Sequence, residues 1–325
     1  MPEGGLDAIA AWYRWFADNE AEGQSPLWAE LSRHIADDAA VLAFLAQLPP
    51  PKRQPNLLLA SYRSLFGTPV DWPDFRDRLL AETAAVATRM RERSTQTNEP
   101  GRCATLLPIL ASLPQPLAIL EVGAAAGLCL LPDRYGYDYG TRQLLPTDTI
   151  DPPLFPCRVS GNTPLPDRLP EIVWRAGLDL NPLDVTNAEQ MLWLETLVWP
   201  GQESRQARLR KAIAIAQADP PRVVRGSIET DLEELLAQAP LGVTTVVFHS
   251  AVLTYLPSQE ARNAFGAKAI NLADCWIANE SPFILPQIAP EAVPPSPGSF
   301  LLSLNGRPAA WTNPHGASIE WIGDD

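Results

Sequence analysis

An acidic residue followed by a glycine-bounded turn is the pattern in this chain that most clearly indicates ligand chemistry. The apolar run 117–122 carries Glu121, and a loop of small residues opens at Gly123 and closes at Gly127. A continuous Leu/Ile/Val run is typical of a strand buried on both faces of a parallel sheet. Because glycine permits positive φ and has no Cβ, a ligand can approach such a loop closely. We predict a strand–turn–helix unit whose turn faces a ligand; a tight turn without a ligand is the alternative.

A second acid is predicted to lie beside this turn. The segment 172–180 has the composition of a strand, and Asp179 stands near its end. A carboxylate at the carboxyl end of a strand next to a glycine turn can accept hydrogen bonds from both hydroxyls of a ribose. We therefore expect Asp179 to bind a ribose; in the alternative, Asp179 or Asp184 caps a helix.

Two titratable residues stand at the ends of later predicted strands, 244–250 and 275–279. His249 lies in the first of these strands, and Glu280 directly follows the second. An open, mostly parallel α/β sheet binds its ligands beyond the carboxyl ends of its strands, where a second substrate would lie. A His with an ordinary pKa of about 6.5 can take a proton there at neutral pH. We expect His249 to act as a general base and Glu280 to orient it or bind a cationic substrate. A buried, hydrogen-bonded core histidine is the alternative.

Two polar segments supply candidate substrate contacts. Residues 94–102 precede the helix that leads into the first strand, and residues 133–172 are rich in Pro and Gly without helical periodicity, which indicates an insertion. A helix cap with a turn is the alternative role for the first segment, and surface packing of the tyrosines is the alternative for the second. The candidate substrate-binding residues are Asn98, Arg134, Tyr135 and Tyr137.

The pattern of elements predicts a helical region followed by an α/β domain. Apolar residues at helical spacing, separated by Pro-rich turns, predict helices over residues 1–113, which we interpret as a cap. Five apolar strands then alternate with helical segments within residues 114–325, and residues 300–322 alternate like a two-stranded antiparallel ribbon. This order indicates a mostly parallel sheet, interrupted by the insertion.

Composition narrows the classes of partner. The chain has 325 residues, a formal net charge of -13 and a pI near 4.7, which argues against nucleic acid or an anionic membrane as a partner. No apolar run of about 18 residues and no secretory signal is visible, and the four Cys form no CxxC pair, so we expect a cytoplasmic, reduced protein. The three His do not stand at metal-ligand spacing, so no metal site is expected. The partner should be a small molecule or a protein, and the sequence does not indicate an oligomeric state.

The turn resembles that of the class I S-adenosylmethionine methyltransferases. These enzymes carry an acid two residues before a first Gly and further Gly at plus two and plus four; Glu121, Gly123 and Gly127 match, and Ala125 departs. If position 125 needs positive φ, Ala costs about 1 kcal/mol there. A nicotinamide fingerprint requires Gly at the first, third and sixth positions, whereas the sixth position here is Leu128. The resemblance implies a Rossmann-like fold with a mostly parallel seven-stranded sheet and a C-terminal antiparallel hairpin.

The resemblance also implies a cofactor and its contacts. S-adenosylmethionine would place its methionine end near the turn, its ribose on Asp179 and its adenine beside Ser227 and Ile228. Many methyltransferases have an acid where this chain has Ser227, and a serine can bond adenine without contributing charge. The implied cofactor-binding residues are Glu121, Gly123, Ala125, Gly127, Asp179, Ser227, Ile228 and Ser250.

Longer segments, spread over nearly the whole chain, resemble a bacterial family known only as a domain of unknown function. The family resemblance implies a methyltransferase-like fold without an established substrate. We therefore expect a methyltransferase acting on a small molecule or a protein side chain. A non-catalytic or regulatory binding protein is the alternative, motivated by Ala125 and Ser227, and a nicotinamide-dependent oxidoreductase is a second, disfavoured by Leu128. The segments are SPLWAELSRHIADD, LPPPKRQPNLLLA, TQTNEPGRCATLLP, EVGAAAGLCLLPDRYGYDYG, WRAGLDLNPLDV and FHSAVLTYL.

Overall fold

The structure, a computed structural model, describes residues 5–288, 293–296 and 298–323. The chain divides into two compact units, the first made of Met1–Thr97 and Glu189–Ala207 and the second of Asn98–Ala188 and Arg208–Asp325. Every residue predicted above to bind or react belongs to the second unit. The helix over residues 103–112, which the sequence analysis assigned to the cap region, also belongs to this second unit.

The first unit is helical, as the apolar stripes indicate. Ile9, Tyr13 and Phe16 lie on the buried side of the first helix, and the side chains of Asp38 and Asp71 accept main-chain N–H groups at the starts of two others. Two helices, Trp72–Ala81 and Thr83–Glu92, follow each other closely and are separated at Glu82. The helices are α1 Leu6–Phe16, α2 Pro26–Asp37, α3 Ala39–Ala46, α4 Pro55–Phe66, α5 Trp72–Ala81 and α6 Thr83–Glu92.

The second unit contains the sheets. Its helices include α7 Cys103–Ser112, α10 Leu232–Leu236 and α11 Gln259–Leu272, whereas α8 Ala188–Thr196 and α9 Glu203–Ala218 contribute residues to both units. The strands are β1 Leu117–Val122, β2 Gly136–Asp138, β3 Gln143–Leu144, β4 Leu154–Pro156, β5 Arg158–Ser160, β6 Ile172–Asp179, β7 Val223–Arg225, β8 Thr244–Ser250, β9 Cys275–Glu280, β10 Phe300–Leu304, β11 Arg307–Thr312 and β12 Ser318–Trp321.

The main sheet is mixed. Its nine strands run in the order β5-β12-β11-β10-β9-β8-β1-β6-β7. Five adjacent strands, β7, β6, β1, β8 and β9, are parallel and coincide with the five strands predicted from the sequence. The next three strands, β10, β11 and β12, each pair antiparallel with the strand before them. The sheet exceeds the seven strands expected because the terminal ribbon has three strands and because β5, from the insertion, pairs with β12.

The segment after β1 is not a helix. Two 3-10 turns, Leu128–Leu130 and Pro132–Arg134, stand where a helix was predicted, and no α-helix lies between β1 and β6 in the described chain. Pro132 explains this difference, because proline disfavours the α conformation in the residue before it and cannot donate to a helical ladder. The insertion instead forms a small sheet in the order β3-β2-β4.

Strand register assigns the polar residues to opposite faces of the main sheet. Glu121 pairs with Phe248 of β8, and Ser250, two residues further along β8, pairs with Asn279. Because side chains two residues apart on a strand point to the same side, Glu121, Ser250 and Asn279 share one face, here termed the Glu121 face. His249 alternates with Ser250 and therefore lies on the other face, here termed the His249 face, together with Glu280. The apolar core of the His249 face includes Leu120, Val122, Val247, Trp276, Leu235 of α10 and Phe265 of α11.

Candidate functional site

The turn after β1 has the strained geometry that its sequence suggests. Gly123, Ala125 and Gly127 have φ of 72°, 51° and 73°. Ala125 is the residue for which this conformation is costly, by about 1 kcal/mol or more. Its N–H donates to Asp179 Oδ2 at 2.8 Å, and its carbonyl accepts the N–H of Leu183 at 2.9 Å. The turn is thus held in an unfavourable conformation by hydrogen bonds.

Asp179 lies at the end of β6 beside the turn, where the sequence analysis placed it. Oδ1 accepts the N–H of Asn181 at 2.7 Å, while Oδ2 accepts that of Ala125. An ionised carboxylate can accept about four hydrogen bonds, so the same group can stabilise the turn and bind a hydroxyl. Asp184 is different, since its Oδ1 accepts both the N–H and the hydroxyl of the nearby Thr186.

The missing side chain of Gly123 makes room for protein. A Cβ at this position would lie 2.3 Å from Cγ2 of Val252, and a Cβ at Gly127 would lie 2.8 Å from Cγ of Pro221. Close packing of Val252 thus already requires glycine at this position, and the role of Gly123 in the approach of a ligand stays a prediction. Val252 belongs to the loop after β8, so the absence of a side chain at Gly123 lets the turn after β1 pack against this loop.

Substitution of Gly123 should accordingly destabilise the fold. Gly123→Ala is expected to lower the unfolding free energy by about 2–4 kcal/mol, from the positive φ and from overpacking against Val252. The double variant Gly123→Ala/Val252→Ala should recover part of this loss, because it removes the clashing methyl groups. Urea unfolding of the wild type, both single variants and the double variant measures this coupling; strictly additive losses would contradict it.

His249 is a buried residue with both ring nitrogens engaged. The side chain is 0% exposed; Nδ1 lies 2.8 Å from Glu280 Oε1, and Nε2 lies 3.0 Å from Trp276 Nε1. The indole N–H can only donate, so Nε2 is the acceptor, and in the neutral ring Nδ1–H donates to Glu280. His249 also packs edge-on against Phe265. These contacts are those of a hydrogen-bonded core histidine.

Glu280 holds the loop that follows β8. Besides His249, its Oε1 accepts the N–H of Val252 at 2.8 Å and the N–H of Leu253 at 3.1 Å. Ala251, at the start of this loop, has a φ of 59°, a second strained alanine at the edge of the sheet. The catalytic roles of His249 and Glu280 stay predictions, and the geometry favours a positioning role for both.

A polar cluster occupies the carboxyl edge of the Glu121 face. We term Arg102, Glu121, Ser250 and Asn279 the edge cluster; all four side chains are buried. Arg102 donates from Nη1 to the carbonyl of Ser250 at 3.1 Å and from Nε to that of Pro314 at 2.9 Å. Its guanidinium forms no ion pair with a carboxylate among the residues that the structure describes.

Three polar atoms of the edge cluster lack hydrogen-bond partners. Within the described part of the chain, Glu121 Oε2, Ser250 Oγ and Asn279 Nδ2 are buried without a partner. Asn279 Oδ1 is engaged, because it accepts the hydroxyl of Thr312 at 2.7 Å. Buried polar groups are usually hydrogen-bonded, and each exception in a folded protein calls for an explanation such as a functional role.

Burial of Glu121 favours its protonated form. Burial raises the pKa of this carboxyl well above its ordinary value of 4.5; the nearby Cys129 thiol and Asp179 also raise the pKa, and the positive charge of Arg102 opposes them. A protonated carboxyl carries one O–H donor. Where Glu121 is protonated, the edge cluster combines one cation with neutral hydrogen-bonding groups.

The raised pKa of Glu121 predicts a specific pH dependence of stability. The folded state retains the proton that the unfolded state releases above pH 4.5, so the stabilising contribution is full below 4.5 and is lost as the pH rises toward the folded pKa. Between the two pKa values, the wild type should lose about 1.4 kcal/mol per pH unit relative to Glu121→Gln. Urea unfolding of both proteins from pH 5 to pH 8 tests this, and parallel curves would contradict it.

Three of the four candidate substrate-binding residues serve the internal structure. Asn98 Oδ1 accepts the N–H of Leu128 at 2.8 Å. The hydroxyls of Tyr135 and Tyr137 donate to the carbonyls of Leu128 and Pro132, and both tyrosines are completely buried. Burial of the rings and the hydrogen bonds of their hydroxyls favour a packing role within the insertion, and the substrate role of the two tyrosines stays a prediction.

The remaining candidates lie outside the edge cluster. Arg134 approaches Asp133 at 3.5 Å and Asp219 at 3.9 Å, through a partly exposed side chain. Ser227 follows β7, where its hydroxyl accepts the N–H of Glu229 at 3.2 Å. Ile228 packs against the core of the His249 face. Ser227 and Ile228 thus lie just beyond the carboxyl end of β7, whereas Arg134 lies in the insertion.

Two members of the edge cluster were not among the site residues predicted from the sequence. Arg102 stands in a segment treated as a polar turn, and Asn279 was regarded only as the last residue of a strand. A signal was present for Asn279: a polar residue ends an apolar strand one step before Glu280, as Ser250 ends the preceding strand. For Arg102 no local signal exists, because its contact with Ser250 joins residues 148 positions apart.

Comparisons with known proteins identify a family without a described activity. No helix in the described ranges is long and apolar enough to cross a membrane, and no group of His, Cys, Asp or Glu there could hold a metal ion. No curated protein and no solved structure matches the chain significantly. A family profile described as "Uncharacterized protein conserved in bacteria" matches residues 10–321, and the chain therefore belongs to this bacterial family, DUF2332.

Proposed function

We propose that the chain binds S-adenosylmethionine at the turn after β1 and transfers its methyl group to a second substrate. The observation that carries the proposal is the turn itself: an acid, Glu121, precedes three residues with positive φ, and Asp179 ends the adjacent strand. In an adenosyl ligand the ribose hydroxyls would bond Asp179, and Ser227 and Ile228 would stand beside the adenine.

The position of the turn in the sheet supports this assignment. The parallel strands run β7-β6-β1-β8-β9, so the strand order reverses at β1. In open α/β sheets, ligands bind outside the carboxyl ends of the strands at such a switch point. The missing helix after the turn and the antiparallel strands beyond β9 set this chain apart from the simple doubly wound plan. These differences affect the methionine end and the far edge of the sheet, and they leave the proposed ribose site intact.

The reaction would demand little acid–base chemistry from the protein. A sulfonium methyl is already activated, so the enzyme must mainly hold the acceptor in line with the sulfur, and proximity supplies much of the acceleration. As the bond from methyl to acceptor forms, the carbon–sulfur bond breaks and S-adenosylhomocysteine leaves. A base is needed only where the acceptor arrives protonated. This mechanism is compatible with a His249 that is fully engaged in the core.

Turnover tests the catalytic half of the proposal. The purified chain is incubated with S-adenosylmethionine and a set of small acceptors, and release of S-adenosylhomocysteine is followed. Release that depends on both an acceptor and the enzyme supports methyl transfer. Binding of S-adenosylmethionine without release for any acceptor would instead favour the non-catalytic binding protein, which the alanine at position 125 and the serine at position 227 motivate.

A further inference from the structure

The edge cluster has the composition of a site for a single negative charge. Arg102 is buried and bonds two carbonyls, and no described carboxylate lies within ion-pair distance of its guanidinium. Leaving a charge buried without a counter-charge is costly. The observed bonds use two of the five N–H groups of the Arg102 guanidinium, so the remaining N–H groups can donate to a further partner.

Donors without partners surround the same point of the sheet. Ser250 Oγ and Asn279 Nδ2 are buried and unbonded among the described residues, and their Cα atoms are register partners on adjacent parallel strands. Arg102 contacts the carbonyl of Ser250 directly. Glu121 lies on the same face and, when protonated, offers an O–H. Together these groups supply about the four hydrogen bonds that a carboxylate accepts.

A cavity lies beside two hydrogen-bond partners of the edge cluster, although none of the four cluster residues lines its wall. It has a volume of about 310 Å³, and its wall includes Thr312, which bonds Asn279, and Pro314, which bonds Arg102. Ligand pockets range from about 300 to 1,000 Å³, so this cavity suits a small molecule and is too small for a folded protein segment. The charge balance selects a monoanion, because one guanidinium neutralises one carboxylate, whereas a phosphate monoester carries up to about two charges.

We infer that the edge cluster binds the carboxylate of a small monocarboxylic acid, and that this acid is the second substrate of the proposed methyltransferase. The inference depends on the proposed function for the role of the acid as substrate, and on the edge cluster alone for its binding. Ser250, which the sequence resemblance gave to the cofactor, is thereby assigned to the substrate. It stands at the end of β8, where a second substrate of this fold class is expected.

The test is a thermal-shift screen of the full chain with matched pairs of compounds. Small carboxylic acids such as butyrate and benzoate are compared with their primary amides, and inorganic phosphate serves as a second anion. At least one acid is expected to raise the melting temperature while its amide does not. If no acid exceeds its amide, or if phosphate stabilises the chain more than every acid, the inference is overturned.

Two serine variants separate the edge cluster from general effects. Ser250→Ala removes an unbonded hydroxyl and should weaken acid binding about tenfold without lowering stability. Ser303 is also a buried serine with an unbonded hydroxyl, but it pairs with Ala278 and so lies on the His249 face; Ser303→Ala should bind the acid like the wild type. Arg102→Lys keeps the charge but loses the fork and should weaken binding by about 10- to 100-fold. Equal acid affinity in Ser250→Ala and Ser303→Ala would overturn the inference.

Cofactor analogues distinguish failure of the carboxylate-site inference from failure of the proposed function. S-adenosylhomocysteine carries an amino-acid carboxylate, and methylthioadenosine lacks it. If Ser250→Ala weakens binding of the first and not of the second, the edge cluster holds the cofactor's carboxylate; the inference then fails and the proposed function stands. If neither nucleoside binds the wild type while an acid binds at the edge cluster, the proposed function fails and the carboxylate site stands.

Discussion

Asp179→Ala is expected to weaken S-adenosylhomocysteine binding by about 30- to 1000-fold, because loss of two hydroxyl bonds to a charged acceptor costs about 2–4 kcal/mol. The same substitution frees the N–H of Ala125, so the strained turn also loses a restraint. Both the lost hydroxyl bonds and the loosened turn should weaken binding, since the turn and the ribose would bond the same carboxylate. Isothermal titration of the folded variant, well below its melting temperature, measures the loss.

Asp184→Ala is the matched control for this prediction. Asp184 lies five positions further along the same segment and bonds Thr186 in an exposed turn. Its removal should leave the nucleoside affinity within a few-fold of the wild type. If the two variants bind equally well, Asp179 does not contact the ligand.

His249→Ala is expected to lower the unfolding free energy by about 3–5 kcal/mol, a loss typical of truncating a large buried ring and leaving its partner unpaired. The substitution leaves the indole N–H of Trp276 without its acceptor and removes one of the three donors to Glu280 Oε1. The loop held by Glu280 would loosen as a consequence. Chemical denaturation and the melting temperature report the change.

Glu280→Gln tells a positioning role from a catalytic one. The amide oxygen can still accept the N–H groups of Val252 and Leu253, so the loop should keep its anchor and the variant should fold. A positioning role predicts turnover within a few-fold of the wild type once an acceptor is known. A loss of about 100-fold in this variant, with stability unchanged, would support the acid–base roles predicted for His249 and Glu280.

The pattern of residue types was sufficient to predict the parallel strands and the positions at which they end. Continuous apolar runs bounded by small or polar residues predicted β1, β6, β8 and β9 closely, because a strand buried on both faces has few alternatives. The place of Asp179 beside the glycine turn followed from the same pattern. Whether Ala125 adopts positive φ was left open by the sequence, and the structure gives it a φ of 51°.

Tertiary contacts decided what the pattern left open. The segment after Gly127 has helix-forming residues, yet Pro132 and the insertion beyond it leave only 3-10 turns. Tyr135 and Tyr137 were expected at a pocket, but a tyrosine can bury its ring and bond a carbonyl wherever the fold provides one. The alternation of a strand separates His249 from Ser250, and only the register with β1 shows that Ser250, not His249, shares a face with Glu121.

The most direct test of the account is isothermal titration of the purified chain with S-adenosylmethionine, S-adenosylhomocysteine and NAD. The geometry of the turn, Asp179 and the switch point at β1 predicts one-to-one binding of the first two nucleosides and no binding of NAD. Binding of NAD alone would contradict the proposal in favour of a nicotinamide-dependent oxidoreductase. The absence of heat for all three, in a protein shown to be folded by its melting transition, would contradict the proposed adenosyl site itself.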